Sequence, residues 1–424
     1  IAQDTGWLNR ITEAVHTGLT AEAAVQKVHD DTRARMAQVT DPYLRERLHD
    51  LEDLANRLLQ HLSGQYQSPA FGDLPVLDKV EAGDPLIVDS DNSQLFVRPS
   101  EDVRAVIDGA LRARAERKAL YAQMRDMPAR TTDGADISLN VNAGLLIDVP
   151  HVIESGADGI GLYRTEIPFM VRSAMPDITD QTRLYDRIFE QAEGRPVVFR
   201  TLDVGGDKLL PYWEDMTEEN PAMGWRSIRI TLDRPAVLVH QLRALIRAGH
   251  DRDLYIMFPM IAEVAEFDMA KAVLDEQLRR EATRGFVPRK VEVGAMLEVP
   301  ALIWQAPALL DRVDFLSVGT NDLLQFMFAA DRGNPRIEGR YDTLSPSVFA
   351  FMRQLVTLCD QRDVRLTICG EMAGRPLEAM ALIGLGIKRL SMAPASVGPV
   401  KEMVRSMCKS EVERYILTVM DNPT

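Results

Sequence analysis

Cysteine is scarce in this sequence, and long apolar runs are missing. The three cysteines among 424 residues, Cys359, Cys369 and Cys408, are odd in number, so at least one thiol has no disulfide partner within the chain. Such usage is typical of a reducing cytoplasm. No apolar run approaches the roughly 20 residues of a membrane span, and residues 1–10 lack the shape of a signal peptide. We therefore expect a cytoplasmic protein without a membrane segment.

Positive charge is also in short supply. The chain has 49 lysines and arginines against 63 aspartates and glutamates, which gives a formal net charge of −14. Non-specific binding of nucleic acid draws its affinity from the neutralisation of phosphates, so this balance argues against a nucleic-acid partner. A local group of arginines can still outweigh the overall field and bind a small anion.

The beginning of the chain has a helical apolar pattern. Leucine or alanine occupies positions 44, 48, 51, 55, 58 and 62, a spacing typical of a coiled-coil-like seam. This pattern, with apolar residues spaced along the preceding segment, predicts an antiparallel helical pair over residues 1–62. The pair is either a structural stalk or a docking surface for another protein, and the pattern leaves both open.

Glycine and proline then interrupt residues 63–99. The runs LIV at 86–88 and QLFV at 94–97 flank the turn-rich DSDNS, which predicts a β-hairpin. Ser100 is placed to cap a helix that runs to about Met127, before Pro128. The length of the chain suggests two or three domains in all.

From about residue 130, strand-like runs alternate with helical stretches. This alternation is typical of a parallel α/β fold, and its size and strand count favour a (β/α)8 TIM barrel over an open doubly wound sheet. One strand candidate is surplus to eight, and residues 226–230 form the weakest. The candidates lie near residues 138–142, 159–163, 197–202, 226–230, 254–260, 291–297, 315–319, 365–369 and 389–392.

Charged side chains collect where these predicted strands end. In a TIM barrel the carboxyl ends of the strands form the active site. Arginine forks match phosphate and carboxylate oxygens, and two carboxylates on separate strands suit Mg²⁺. The pattern indicates a small substrate that carries phosphate and a carboxylate, although Cys369 alone is by default a small buried apolar side chain. The strand-end residues are Arg164, Arg200, Glu298, Asn321, Asp322 and Cys369, and Arg332 adds a further arginine.

Several of these residues lie in longer motifs. Residues 314–325, DFLSVGTNDLLQ, closely resemble the signature of the phosphoenolpyruvate-utilising enzymes. The chain also resembles enzyme I of the bacterial phosphotransferase system, over residues 80–424 and more loosely before them. Within that family, IPFM at 167–170 and MLEVP at 296–300 look most like the nitrogen-related paralogue. The other matching motifs are residues 161–170, 200–208, 220–221, 224–226 and 369–371.

The resemblance implies a role for each matching position. It implies a Mg²⁺ cofactor held by Glu298 and Asp322, and a proton donor, Cys369, that converts the enolate to pyruvate. Asn321 would help to position the substrate. Phosphoenolpyruvate's phosphate would be bound by Arg164, Arg200 and Arg332, whereas Arg226 and Lys208 match family positions near the site.

The resemblance also implies a phosphate relay between domains. Residues 1–63 would bind a small HPr-like carrier protein, 64–99 would be a remnant of a swivelling phosphohistidine domain, 100–129 a linker helix, and 130–424 the phosphoenolpyruvate-binding barrel of a homodimer. In this family the first phosphate acceptor is a histidine in a glycine-rich Thr-Ser-His motif. None of the seven histidines of this chain lies in such a motif.

Three functions therefore stay open. The chain is a phosphoenolpyruvate–protein phosphotransferase whose acceptor histidine is missing from this sequence, or it binds phosphoenolpyruvate as a sensor without relaying phosphate. A pyruvate phosphate dikinase or phosphoenolpyruvate synthase shares the barrel. The helical first segment and the lack of a nucleotide-grasp region argue against this third reading.

Overall fold

The fold is taken from a computed structural model. It describes Lys27, Val80 and residues 84–89, 94–170, 174–205, 218–332, 334, 336–337 and 339–421. The predicted helical pair of residues 1–62 lies outside the described residues, apart from Lys27. The chain divides into two compact units, Ile1–Val106 and Ile107–Thr424.

The predicted hairpin is confirmed. Strand β1 (Leu86–Asp89) pairs antiparallel with β2 (Gln94–Val97), in a register that sets Leu86 opposite Val97. Helix α1 (Glu101–Gln123) follows Ser100, whose Oγ accepts a hydrogen bond from the Val103 N–H at 3.4 Å. The helix ends before Met127 because the chain tightens into turns from Met124, whose N–H donates to the Tyr121 carbonyl at 3.1 Å.

The TIM barrel is confirmed as a closed barrel of eight strands. The strands follow one another around the barrel in chain order, and β10 closes it against β3. All neighbouring pairs are parallel. The strands are β3 (Ser138–Ala143), β4 (Ile160–Arg164), β5 (Val197–Arg200), β6 (Asp253–Phe258), β7 (Lys290–Leu297), β8 (Phe315–Val318), β9 (Arg365–Ile368) and β10 (Arg389–Met392).

Helices connect and surround these strands. Several begin with proline at the first helical positions, where the missing N–H costs no hydrogen bond. They are α2 (His151–Ser155), α3 (Ile167–Met170), α4 (Ile178–Gln191), α5 (Ile228–Asp233), α6 (Pro235–Ala248), α7 (Val264–Ala282), α8 (Ala306–Leu310), α9 (Thr320–Met327), α10 (Pro346–Asp360), α11 (Pro376–Gly384), α12 (Pro394–Ser406) and α13 (Lys409–Asp421).

The surplus strand prediction at residues 226–230 is wrong, and the structure forms α5 there. Five residues of mixed polarity do not distinguish a strand from a short helix. The Ser227 N–H donates to the Val204 carbonyl at 2.7 Å, which ties this segment to the loop after β5 rather than to a neighbouring strand. Ser227 takes φ of 60°, and the helix starts at the next residue. With this candidate removed, the remaining eight predictions match the eight barrel strands.

Among the described residues, two apolar clusters include residues of the barrel strands. The larger lies between the strands and the surrounding helices, with residues such as Ile256 and Leu245 fully buried. The smaller fills the inside of the barrel and consists of Leu162, Met257, Met296, Phe315 and Cys369. None of the helices within the described part of the chain is long and apolar enough to cross a membrane.

Candidate active site

The carboxyl ends of the strands bring the predicted residues together. Arg164 and Arg200 end the adjacent strands β4 and β5 and are direct partners in the strand register. Glu298 follows β7, and Cys369 follows β9. Asn321 and Asp322 lie in the first turn of α9, directly after β8. These side chains come from five strand ends of the same barrel mouth.

Arg200 is buried between acidic groups. Its Nη2 lies 2.6 Å from Glu166 Oε1 and 2.9 Å from Asp203 Oδ2, while Nη1 lies 3.8 Å from the sulfur of Met296. Burial lowers the pKa of this guanidinium, but the charges of Glu166 and Asp203 outweigh burial and raise it. Arg200 therefore keeps its positive charge inside the protein.

Arg226 extends this arrangement toward α9. Its Nη2 lies 3.0 Å from Asp203 Oδ1 and 3.2 Å from Asp322 Oδ2. On the other side of Asp322, Arg332 Nη1 lies 3.2 Å from Oδ1. Arg332 is half exposed at the rim, whereas Arg226 is buried. The result is a row of alternating charges, formed in order by Glu166, Arg200, Asp203, Arg226, Asp322 and Arg332.

Glu298 is buried beside this row. Its Oε1 accepts a hydrogen bond from the Met260 N–H at 2.7 Å. A Cβ at position 319 would lie only 2.6 Å from Glu298 Oε2, so Gly319 leaves room for this carboxylate. Burial, followed by the negative charges of Asp322 and Asp203, raises the pKa of Glu298 to about 8. The positive charge around Glu298 is therefore too small to stabilise its ionised form.

The donor set around Glu298 and Asp322 fits Mg²⁺. Each of these carboxylates is buried and they repel one another, and a divalent cation between them would offset that repulsion. Oxygen donors are the ligands that Mg²⁺ prefers, and it is commonly bound by one or two carboxylates together with water and substrate oxygens. Among the described residues, no group of three or more His, Cys, Asp and Glu side chains is arranged to hold a metal ion.

Cys369 is a protonated thiol. Its side chain is buried, and Sγ donates to the Val318 carbonyl at 3.3 Å. Burial, and after it the charge of Glu298, raises the pKa of the Cys369 thiol to about 12, although Arg200 and Arg164 oppose this shift. A thiol that stays neutral at pH 7 is suited to donate a proton and poorly suited to act as a nucleophile.

A cavity of about 430 Å³ opens beside Cys369. Arg164 lines it, is exposed, and has no ion pair with any of the residues that the structure describes. Asn321 lies near the same edge, where its amide and Glu371 form two hydrogen bonds: Asn321 Nδ2 donates to Glu371 Oε1 at 3.2 Å, and the Glu371 N–H donates to Asn321 Oδ1 at 3.0 Å. The cavity thus has an exposed guanidinium on one side and a neutral thiol on the other.

One predicted residue cannot be placed, and two important ones were missed. Lys208 lies outside the described residues. Asp203, which bridges Arg200 and Arg226, and Glu166, which contacts Arg200, were not among the predicted site residues. Both residues could have been found from their positions in the sequence, because each lies two or three residues after a strand-end arginine.

The structure defines a class: a closed parallel α/β barrel whose mouth gathers buried arginines and carboxylates. Residues 118–408 match the family model "PEP-utilising enzyme, PEP-binding domain", and residues 1–47 match "PEP-utilising enzyme, N-terminal". The chain belongs to the family of phosphoenolpyruvate-utilising enzymes. This finding agrees with the resemblance of the strand-end motifs.

Three relatives are similar over most of the chain. A phosphoenolpyruvate-protein phosphotransferase of Staphylococcus carnosus is 38% identical over 83% of this chain and 62% of its own length. One of Haemophilus influenzae is 33% identical over 95% of this chain and 80% of its own length. A protein of Escherichia coli named phosphoenolpyruvate-dependent phosphotransferase system is 34% identical over 97% and 62%. The chain thus spans about 60% of two of these relatives.

The alignments also point to a missing internal stretch. The match to the Haemophilus influenzae relative extends over 460 residues, and that to the Escherichia coli relative over 466, although this chain has only 424. Each relative therefore carries residues inside the aligned region that have no counterpart here.

Proposed function

We propose that this protein is a phosphoenolpyruvate–protein phosphotransferase. It takes the phosphoryl group of phosphoenolpyruvate, with Mg²⁺, onto an enzyme histidine that is not visible in this chain, and from there onto a small HPr-like carrier, and it releases pyruvate. The observation that carries this proposal is the row of alternating charges at the barrel mouth, next to a neutral buried thiol. The names of the relatives point to the same activity.

The arginines suit the binding of a phosphoryl group that is about to leave. Transfer requires positive charge on the equatorial oxygens, and this charge acts most strongly where water is excluded. Arg200 stays charged while buried, and Arg164 faces the cavity without an ion pair among the described residues. Arg332 reaches the same carboxylate as Arg226 and closes the rim. In this account, Arg164, Arg200 and Arg332 bind substrate and Arg226 holds Asp322 in place.

Glu298 and Asp322 would hold the metal ion. When bound, Mg²⁺ supplies positive charge to the substrate oxygens and orients them. The residues of the chain do the rest: Met260 fixes Glu298 through its N–H, and Arg226 and Arg332 fix Asp322. Asn321 precedes Asp322 and orients the substrate beside Cys369.

Cys369 completes the reaction as the acid. When the P–O bond breaks, the electron pair stays on the oxygen of enolpyruvate. The enolate carbon then takes the proton from Sγ, a new C–H bond forms, and pyruvate results. The thiolate left behind regains a proton from solvent. The raised pKa of the thiol ensures that the proton is present at neutral pH.

The assignment to the nitrogen-related branch rests on two motifs, residues 167–170 and 296–300. We propose, from the resemblance to enzyme I, that residues 1–63 dock the carrier and that the barrel dimerises.

A second candidate is a phosphoenolpyruvate sensor that does not relay phosphate. It is favoured by the lack of a Thr-Ser-His motif and by the alignments that are longer than this chain. Incubation of the protein form that includes the acceptor histidine with labelled phosphoenolpyruvate, Mg²⁺ and a histidine-containing carrier separates the two. Label on the chain or on the carrier supports the relay, whereas binding of phosphoenolpyruvate without any transfer supports the sensor. Failure to bind phosphoenolpyruvate at all contradicts both.

A further inference from the structure

The main chain at Cys369, which follows β9, is held by a side chain from β3. These two strands are separated by β10. Asn142, on β3, donates from Nδ2 to the Cys369 carbonyl at 3.0 Å. Between them lies β10, where the Ser391 hydroxyl donates to Asn142 Oδ1 at 2.7 Å. A carbonyl oxygen can only accept, so the Asn142 amide must turn its NH₂ toward Cys369. The Ser391 hydroxyl then donates to the amide oxygen and fixes that orientation.

This side-chain bond replaces a bond of the strand ladder. β9 and β10 are joined through one register pair only, Leu390 with Ile368, and the ladder stops before Cys369. A carbonyl at this point would lose its partner, and an unpaired buried polar group is costly. Asn142 supplies the partner from β3, on the other side of β10.

Close packing reinforces the arrangement on both sides. A Cβ at Gly161 would lie 2.6 Å from Ser391 Oγ, so glycine on β4 leaves room for this hydroxyl. A Cβ at Gly370 would lie 1.7 Å from Thr320 Oγ1, so the residue after Cys369 is pressed against the start of α9. The Cys369 N–H also donates to the Val318 carbonyl at 3.0 Å. The backbone of Cys369 is thereby held from β3, β8 and α9 together.

We propose that Asn142 is a positioning residue for Cys369, oriented by Ser391. The thiol now donates to the Val318 carbonyl, and it must swing away from this oxygen to protonate a substrate in the adjoining cavity. With the main chain held, that swing needs rotation of the side chain alone. This inference rests on the role of Cys369 proposed above.

The test measures proton delivery without a phosphate acceptor. Enolpyruvate is generated in place from phosphoenolpyruvate by an added phosphatase, and its conversion to pyruvate is followed in the presence of the protein and Mg²⁺. Loss of positioning by about an ångström costs on the order of 100-fold in rate, and loss of one neutral hydrogen bond about 10-fold. We expect Asn142→Ala and the isosteric Asn142→Asp to slow the protein-dependent reaction by about 10- to 100-fold, and Ser391→Ala to slow it less.

Asn140→Ala is the matched control. Asn140 lies on the same strand with its side chain toward the same face, but Nδ2 donates to Ser138 Oγ and the Leu390 carbonyl rather than to Cys369. The control should keep the wild-type rate. Phosphoenolpyruvate affinity should stay within about threefold in all four variants, since a positioning residue affects the rate and leaves binding largely unchanged.

The double variant Asn142→Ala/Cys369→Ala provides the deciding measurement. If Asn142 acts through Cys369, its removal has no further effect once the thiol is gone, whereas a purely structural role would add to the loss. Equal rates for the Asn142 and Asn140 variants, or an additive loss in the double variant, would overturn this inference alone. A wild-type rate for Cys369→Ala by itself would overturn the role of Cys369, and this inference with it.

Discussion

Replacing Glu298 by glutamine should stabilise the metal-free protein and abolish Mg²⁺-dependent substrate binding. Glu298 is 1% exposed, and its pKa is raised from 4.5 to about 8 by burial and by Asp322 and Asp203. One pKa unit corresponds to about 1.4 kcal/mol. By pH 7 the folded state keeps a proton that the unfolded state has released, so it has lost about 3 kcal/mol of stability relative to acid pH. Glutamine has no charge and can still accept the Met260 N–H.

The sign of the pH dependence follows from the direction of the shift. Because the folded pKa lies above the unfolded one, the stability of the wild type relative to the variant is fully present below about pH 4.5. It is lost as the pH rises through about 8. The variant lacks this loss, so its advantage should be small at pH 5, about 3 kcal/mol at pH 7 and about 4–5 kcal/mol from pH 8 upward.

Urea unfolding in the presence of EDTA, between pH 5 and pH 9, measures this difference as a shift in the midpoint. Glu292→Gln is the matched control, since Glu292 lies on the same strand at the opposite end of the barrel and pairs with Lys290 and Arg365. Its loss should destabilise at every pH. With Mg²⁺ and phosphoenolpyruvate added, only proteins that keep Glu298 should gain stability. A Glu298→Gln variant that is less stable than wild type at pH 8 in EDTA would refute the reasoning.

Three further outcomes are expected. Cys369 should react with iodoacetamide at pH 8 far more slowly than the partly exposed Cys408, because its thiol is buried and has a pKa raised to about 12. Mass spectrometry that finds Cys369 modified first would contradict its assignment as a neutral acid. Asp203→Ala should lower the free energy of unfolding by about 3–5 kcal/mol, because it takes a carboxylate from two buried guanidiniums, Arg200 and Arg226; a urea midpoint that hardly moves would argue against the row of charges. Glu281→Gln should lower the free energy of unfolding by about 2–3 kcal/mol at pH 7, since this buried carboxylate accepts from Arg243, Arg247 and Arg284. These arginines, against the effect of burial, hold the pKa of Glu281 at about 2, so the difference should shrink as the pH falls from 4.5 toward 2. A difference independent of pH would contradict this role of the arginines.

Several site residues could be predicted because a barrel brings all its strand ends to one edge. Arg164, Arg200, Glu298 and Cys369 each end or follow a strand, so finding the strand was enough to place the residue at the mouth. This reasoning requires no knowledge of distant contacts.

Other residues could not be found in this way. Arg226 arrives on the segment before α5 rather than on a strand, and the mixed polarity around it was misread as a strand. The hydrogen bond from Ser391 to Asn142 joins residues 249 positions apart, and no local sequence pattern predicts it. Asp203 matters only because the loop after β5 places its carboxylate between two arginines, a fact of tertiary packing.

The central claim is that the barrel mouth binds phosphoenolpyruvate through buried Arg200 with the help of Mg²⁺. Calorimetric titration of phosphoenolpyruvate, with and without Mg²⁺, tests it most directly when wild type is compared with Arg200→Ala and Arg195→Ala. Arg195 precedes the same strand at the opposite end of the barrel and serves as the control. We predict one Mg²⁺-dependent site per chain that Arg195→Ala keeps and Arg200→Ala weakens by about 100-fold, as expected for the loss of charged hydrogen bonds. Equal affinity in the two variants, or binding that ignores Mg²⁺, would contradict the account.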